Sequence, residues 1–139
     1  MFPDVYYATF KNVKLKDVYI KSNVTAYGGA ANYHGYGALV GMVHSGGTAT
    51  FQNVEVENVK IDIKRPNLSN PRKPVGVGGI VGYSYGTLTV TDAVVKNVTA
   101  NFTNWYATSR CTSYAGAVVG AMGYANTANL TNVITIGNL

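Results

Sequence analysis

Two short patterns recur along this chain with one period of about 40 residues, and a chain built that way has few folds open to it. The first reads FKNVKLKDVYI from Phe10, FQNVEVENVKI from Phe51, VTDAVVKNVTA from Val90 and LTNVITIGNL from Leu130. These starts step by 41, 39 and 40 residues. The second is a glycine-bounded apolar run: GALVG at 37–41, GGIVG at 78–82 and GAVVG at 116–120, stepping by 41 and 38. Two unrelated patterns keeping the same beat imply stacked structural units, each burying its apolar face against its neighbours.

Inside the first pattern Val13, Leu15, Val18 and Ile20 alternate with polar residues, and Val54, Val56, Val59 and Ile61 repeat this one period later. Alternation by two is the signature of a strand with one face in and one out. The step of three across Asp17, and across Asn58, breaks the alternation. A bend there explains it, because Asn and Asp tolerate the left-handed backbone a sharp bend requires. The glycine-bounded run reads as a further short strand with turns at each end, and Ser45-Gly46-Gly47 and Tyr85-Gly86 read as return turns. The expected fold is therefore all-β: a single-stranded right-handed parallel β-helix, or β-solenoid, of about three and a half coils. One domain spans 1–139, with repeats at about 8–47, 48–87 and 88–126 and a partial one at 127–139.

Charge tests the register independently. An offset of 41 sets Lys14 against Glu55, Lys16 against Glu57 and Lys21 against Asp62, and the next offset of 39 brings Lys96 to Glu57, a Lys-Glu-Lys ladder on the outer face. Asn12, Asn53, Asp92 and Asn132 align as one column, and Asp17, Asn58 and Asn97 as another. Stacked amides of this kind form side-chain hydrogen-bond ladders in regular β-structures.

The sequence Gly78-Gly79-Ile80-Val81-Gly82, with Gly86 and a Thr- and Val-rich strand ending in Lys96-Asn97-Val98, resembles the GLUG repeat of bacterial and protist surface proteins. The other two copies carry Ala38 and Ala117 where the second glycine stands. The resemblance implies a β-helical segment of a large extracellular or cell-surface protein, often adhesive, with no catalytic residues to carry over.

The chemistry-bearing residues are few. The chain has 139 residues, of which 11 are Lys or Arg and six are Asp or Glu. The excess of base is spread along the chain, which argues against a nucleic-acid partner. The lone Cys111 excludes an intrachain disulfide, and His34 and His44 have no third ligand at a recurring spacing, so no metal or cofactor is expected. Glu55 and Glu57 are the best pair for glycoside hydrolysis in a polysaccharide-degrading enzyme. Their lysine neighbours would lower the pKa that a general acid needs raised, so no enzyme is expected.

The segment 64–74 is a basic insertion with Arg65, Arg72 and Lys73, read as a solvated loop or a contact for acidic glycans. Tyr33, Tyr36, Tyr83, Tyr85 and Trp105 either pack the excursions or present a sugar-binding or subunit-contact surface. Five Asn-X-Ser/Thr sequons, at Asn23, Asn67, Asn97, Asn101 and Asn129, are glycosylation candidates if the chain is secreted. The start, MFPDVYYATF, lacks a signal peptide's basic region and apolar run, and no stretch reaches the roughly 18 apolar residues that span a bilayer. The last repeat stops halfway with an open strand edge, and open edges invite pairing. The expectation is a structural or adhesive extracellular β-solenoid stacking on copies of itself, with a glycan-binding module as the alternative.

Overall fold

The computed structural model describes residues 1–23, 34–64, 74–103, 113–123 and 126–137. Every regular element within them is a strand: β1 (Phe2–Asn23), β2 (His34–Gly37), β3 (Val40–Lys64), β4 (Val75–Gly78), β5 (Val81–Ser84), β6 (Thr87–Thr103), β7 (Ser113–Gly116), β8 (Val119–Met122) and β9 (Ala128–Ile136). All pairings are parallel. A six-stranded sheet runs β8-β5-β3-β6-β9 with β1 added on β3, and a three-stranded sheet runs β2-β4-β7. The larger sheet curls through half a barrel. Phe10 lies on Phe51 and Val40 on Val81, as the forty-residue period requires. Phe2 and Val5 join the same stack, lying on Val40 and Val43.

The long strands are bent, and the bends fall where the alternation breaks. Among the described residues seven non-glycine positions have positive φ, between 52° and 56°: Asn12, Asn53, Asp92 and Asn132 in one column, and Asp17, Asn58 and Asn97 in the other. Short side chains that bond locally lower the cost of this conformation, which for other L-residues is about 1–2 kcal/mol. Gly137, with φ of 99°, continues the second column onto Asn97, where an added Cβ would stand 2.6 Å from Asn97 Oδ1.

Between the bends the inward residues stack into columns. Val13, Val54, Ala93 and Val133 form one, and Leu15, Val56, Val95 and Thr135 the next. Beyond the second bend come Val18, Val59 and Val98, then Ile20, Ile61 and Ala100. The β3 members Phe51, Val54, Val56, Val59, Ile61 and Ile63 are all essentially inaccessible. Burying each stabilises by about 1.5–3 kcal/mol relative to leaving it in water. Phe10 and Phe51 stack with ring centroids 5.1 Å apart and planes 7° from parallel.

The glycine-bounded runs differ from the expectation. Each is a corner between the sheets, not a single strand: Gly37 ends β2, residues 38 and 39 bend, and Val40 opens β3. The corners stack as the strands do, with Leu39 N donating to Ile80 O at 3.2 Å and Ile80 N to Val118 O at 3.0 Å. Nor do these glycines serve as turn residues. Among the described glycines only Gly46 and Gly137 have positive φ. A Cβ on Gly35 would meet Tyr83 N at 2.7 Å, on Gly37 Gly82 N at 2.7 Å, and on Gly78 Gly120 N at 2.7 Å. The small sheet therefore rests backbone against backbone on the short strands of the large one, far closer than the ~10 Å of ordinary stacked sheets. The excursions at 24–33, 65–73 and 104–112 lie outside the described residues.

Candidate functional site

On the outer face the expected charge register is present and its contacts are partly rearranged. Lys14 Nζ is 2.8 Å from Glu55 Oε2 and Lys16 Nζ is 3.7 Å from Glu57 Oε1. Lys96 lies beside Glu57 in register, yet its ammonium reaches Glu55 Oε1 at 3.4 Å. The ladder across three strands is thus Lys14-Glu55-Lys96, centred on Glu55 instead of Glu57. The long lysine stem leans along the strand to the diagonal neighbour two residues away, within reach on the same face. Lys21 lies over Asp62 in register without an ion pair to it; that carboxylate instead meets Tyr19 Oη, Asn101 Nδ2 and Lys60 Nζ at 2.7, 2.7 and 3.7 Å.

These contacts set the proton affinities. The Lys14 hydrogen bond, with help from Lys96, holds Glu55 below the usual carboxylate range and Lys14 above the usual lysine value. Asn101 and Tyr19 hold Asp62 down, and donation to Asp62 raises the Tyr19 phenol. Glu55 is shifted away from the proton-holding state of a general acid. No group of three His, Cys, Asp or Glu among the described residues could hold a metal ion. His44 stacks on Tyr6 and sits 3.9 Å from Asp4.

The amide columns form hydrogen-bond ladders with a direction. Asn53 Nδ2 donates to Asn12 Oδ1 at 2.8 Å, Asn58 to Asp17 at 2.8 Å, Asn97 to Asn58 at 2.9 Å, Asn101 to Asp62 at 2.7 Å and Asn132 to Asp92 at 2.9 Å. In each the later strand donates and the earlier accepts. At the two ends of the first column Asn12 keeps its Nδ2 hydrogens and Asn132 its Oδ1 without a partner among the described residues.

Both ends of the stack are apolar and open. At the β1 end Phe2 is 53% exposed and lies against Phe10, ring centroids 5.2 Å apart, and Phe10, Val13, Leu15, Val18 and Ile20 are partly buried, with a paired strand on one side only among the described residues. At the β9 end Leu130 is about half exposed, as are Ile134 and Ile136, which lie in the outward rows of Glu55 and Glu57.

The tyrosines of the expected contact surface part company. Tyr83 is buried, at 5% exposure, with its ring 4.8 Å from that of Tyr85, so it offers no free face as a sugar platform. Tyr85 with Tyr114, Pro74 and Met122 borders a cavity of about 590 Å³ beside β8. Tyr36 is half-buried and accepts from Ser22 Oγ at 3.0 Å. Tyr33, Arg65, Arg72, Lys73, Trp105 and Cys111 lie outside the described residues. Of the sequons, Asn67 also lies outside them; Asn23 falls at the end of β1, Asn101 is exposed near the end of β6 and Asn129 is exposed in β9. Asn97 spends its amide nitrogen on the ladder.

The expected reading missed the outer face of residues 18–23, 59–64 and 98–103, where Tyr19, Lys60 and Asn101 converge on Asp62. The available signal was Lys60 alternating with Asp62 and Lys64 beside the basic insertion. No family model, curated protein or solved structure matches the chain.

Proposed function

We propose that this chain is a non-enzymatic structural and adhesive module of GLUG-like, surface-protein character: a closed right-handed parallel β-helix of about three and a half coils. In this reading it works outside the cell and stacks head to tail on copies of itself. The direction of the amide ladder carries it. Wherever a side-chain bond forms in these columns the earlier coil accepts from the later, so Asn132 Oδ1 at one end matches the Asn12 Nδ2 hydrogens at the other. In the same register Leu130 of one copy covers Phe10 of the next, and Val133 covers Val13, extending columns that already run through the molecule. An interface between two different surfaces related by a simple advance does not close, and open stacking gives a filament.

Sedimentation velocity and electron microscopy of purified protein test this. Mass should rise with concentration, and filaments should give a meridional spacing near 4.8 Å, the repeat of stacked strands. Replacing Leu130 and Val133 by lysine sets charge against the partner's apolar edge and should leave monomers. A native protein that stays at 14.8 kDa at every concentration would overturn the stacking. The rival enzymatic reading is disfavoured by the depressed pKa of Glu55.

A further inference from the structure

The outward residues of 18–23, 59–64 and 98–103 form a regular grid that alternates with the inward columns. Alternation turns Val59, Ile61 and Ile63 inward and leaves Lys60, Asp62 and Lys64 outward. Parallel register sets Tyr19, Lys60 and Thr99 in one row, Lys21, Asp62 and Asn101 in the next, and Asn23, Lys64 and Thr103 in the third. Strand geometry spaces neighbours about 4.8 Å apart across strands and about 6.6 Å apart along them. Seven of these positions border a groove of about 580 Å³, whose lining also includes the partly buried Ala100 and Phe102. That size falls in the range of ligand sites, roughly 300–1,000 Å³.

The charges are arranged, not merely abundant. At the centre Asp62 accepts from Tyr19 and Asn101, is held ionised and stays in place. Lys60 lies over the exposed Tyr19 ring, 5.6 Å from its centroid. Lys21 and Lys64 flank the centre, exposed and without an ion pair among the described residues. A fixed carboxylate with unused lone pairs, ringed by three ammonium groups, amide and hydroxyl groups and an aromatic face, asks for a ligand carrying both hydroxyls and anionic groups. Hydroxyls donate to Asp62 and Thr103, acidic groups meet Lys21 and Lys64, and a ring face lies on Tyr19. A DNA phosphodiester strand suits it less, because it brings regular negative charge without the hydroxyls that could donate to Asp62.

We propose that this groove binds an anionic oligosaccharide, carrying uronate or sulfate, along the strand direction. The inference goes beyond assembly and does not depend on the ends of the stack.

Calorimetric titration at physiological ionic strength tests it with a galacturonic acid hexamer and a heparin-derived hexasaccharide. Maltohexaose serves as the neutral control, and single-stranded DNA and phosphatidylserine vesicles as rival polyanions. At least one anionic hexasaccharide should bind with Kd below about 1 mM, a weak affinity suited to an open groove. Which of the two binds separates carboxylate from sulfate recognition. The double variant Lys21→Ala/Lys64→Ala should weaken binding at least about tenfold, and Lys11→Ala/Lys16→Ala, with the same loss of charge elsewhere, by less than about threefold. Unchanged circular dichroism would show that both variants remain folded. The proposal is overturned if neither acidic sugar binds, if maltohexaose binds equally, or if the two double variants lose affinity alike. Tighter binding of DNA or vesicles with the same lysine dependence would also overturn it.

Discussion

Asn58 occupies the middle of the second bend column, and three substitutions there separate the backbone from the ladder. Its φ of 54° is left-handed, its Nδ2 donates to Asp17 and its Oδ1 accepts from Asn97. Asn58→Ala removes both side-chain bonds, each worth about 0.5–1 kcal/mol at this solvent-accessible position. It also places a Cβ residue without a compensating polar group in the left-handed region, at about 1–2 kcal/mol. The expected destabilisation is about 2–4 kcal/mol. Asn58→Gly removes the same bonds but relaxes the backbone, partly offset by the extra freedom of glycine in the unfolded chain. It should be milder than alanine by about 1 kcal/mol.

Asn58→Asp makes the sharper test. It still accepts from Asn97 but sets a carboxylate against Asp17 where the amide donated. Two facing carboxylates raise the pKa of the pair. A group whose folded pKa is raised favours the protonated folded state, so the penalty is present at neutral pH and disappears as pH falls through the raised value. Urea denaturation of each variant against wild type at pH 7 and pH 3, with unchanged m-values, measures all three. Equal losses for alanine and glycine would refute the left-handed bend. An aspartate penalty as large at pH 3 as at pH 7 would refute the direct contact with Asp17.

Asp92 has no amide hydrogen to give Asn53, so Asp92→Asn lets the first column run unbroken while still accepting from Asn132; the urea midpoint should rise by the equivalent of about 0.5–1.5 kcal/mol. Phe51→Ala empties a fully buried site and should cost about 3–5 kcal/mol, whereas Phe10→Ala, at a partly buried site, should cost about half as much in the monomer; equal losses in dilute protein would contradict the open edge. Stability followed by thermal melting should be flat near neutrality. It should fall in acid as pH drops through the depressed values of Glu55 and Asp62, whose contribution is complete only above the ordinary carboxylate range. It should also fall in alkali as pH climbs through the raised values of Lys14 and Tyr19; a melting point that rises on acidification below pH of about 4 would contradict these contacts.

The register was legible because a parallel stack leaves a double trace in sequence, like residues in the inward columns and opposite charges on the outer face. Val13 over Val54 and Lys14 over Glu55 give the same offset for unrelated physical reasons. The bends were legible because few residues other than Asn, Asp and Gly accept their backbone. The glycines were misleading: their pattern is the same whether they permit a turn or let two backbones touch, and only the second operates at Gly37 and Gly78. The partner of Lys96 was beyond reach because register names the residue alongside, while a four-carbon stem chooses between that residue and its diagonal neighbour. The groove was missed for a related reason. It needs Tyr19, Asp62 and Asn101 from three strands, and no pairwise offset reveals a three-body contact.

That contrast bears on where function lies in such a chain. A column that repeats the same residue type is explained by stacking alone, since each member meets its own kind above and below. The bend columns and the Val13 to Val133 column are of this sort and call for no ligand. A row that changes character from strand to strand is not required by stacking: Tyr19, Lys60 and Thr99 share a register position while differing in charge, size and polarity. Packing does not choose such residues, because their side chains point away from the core. Lys21, Asp62 and Asn101 vary in the same way directly beside them, and Asp62 joins the two rows through Tyr19 and Lys60. Two adjacent non-repeating rows linked by hydrogen bonds place any ligand-binding role of this surface on the groove, and leave the uniform columns to hold it in register.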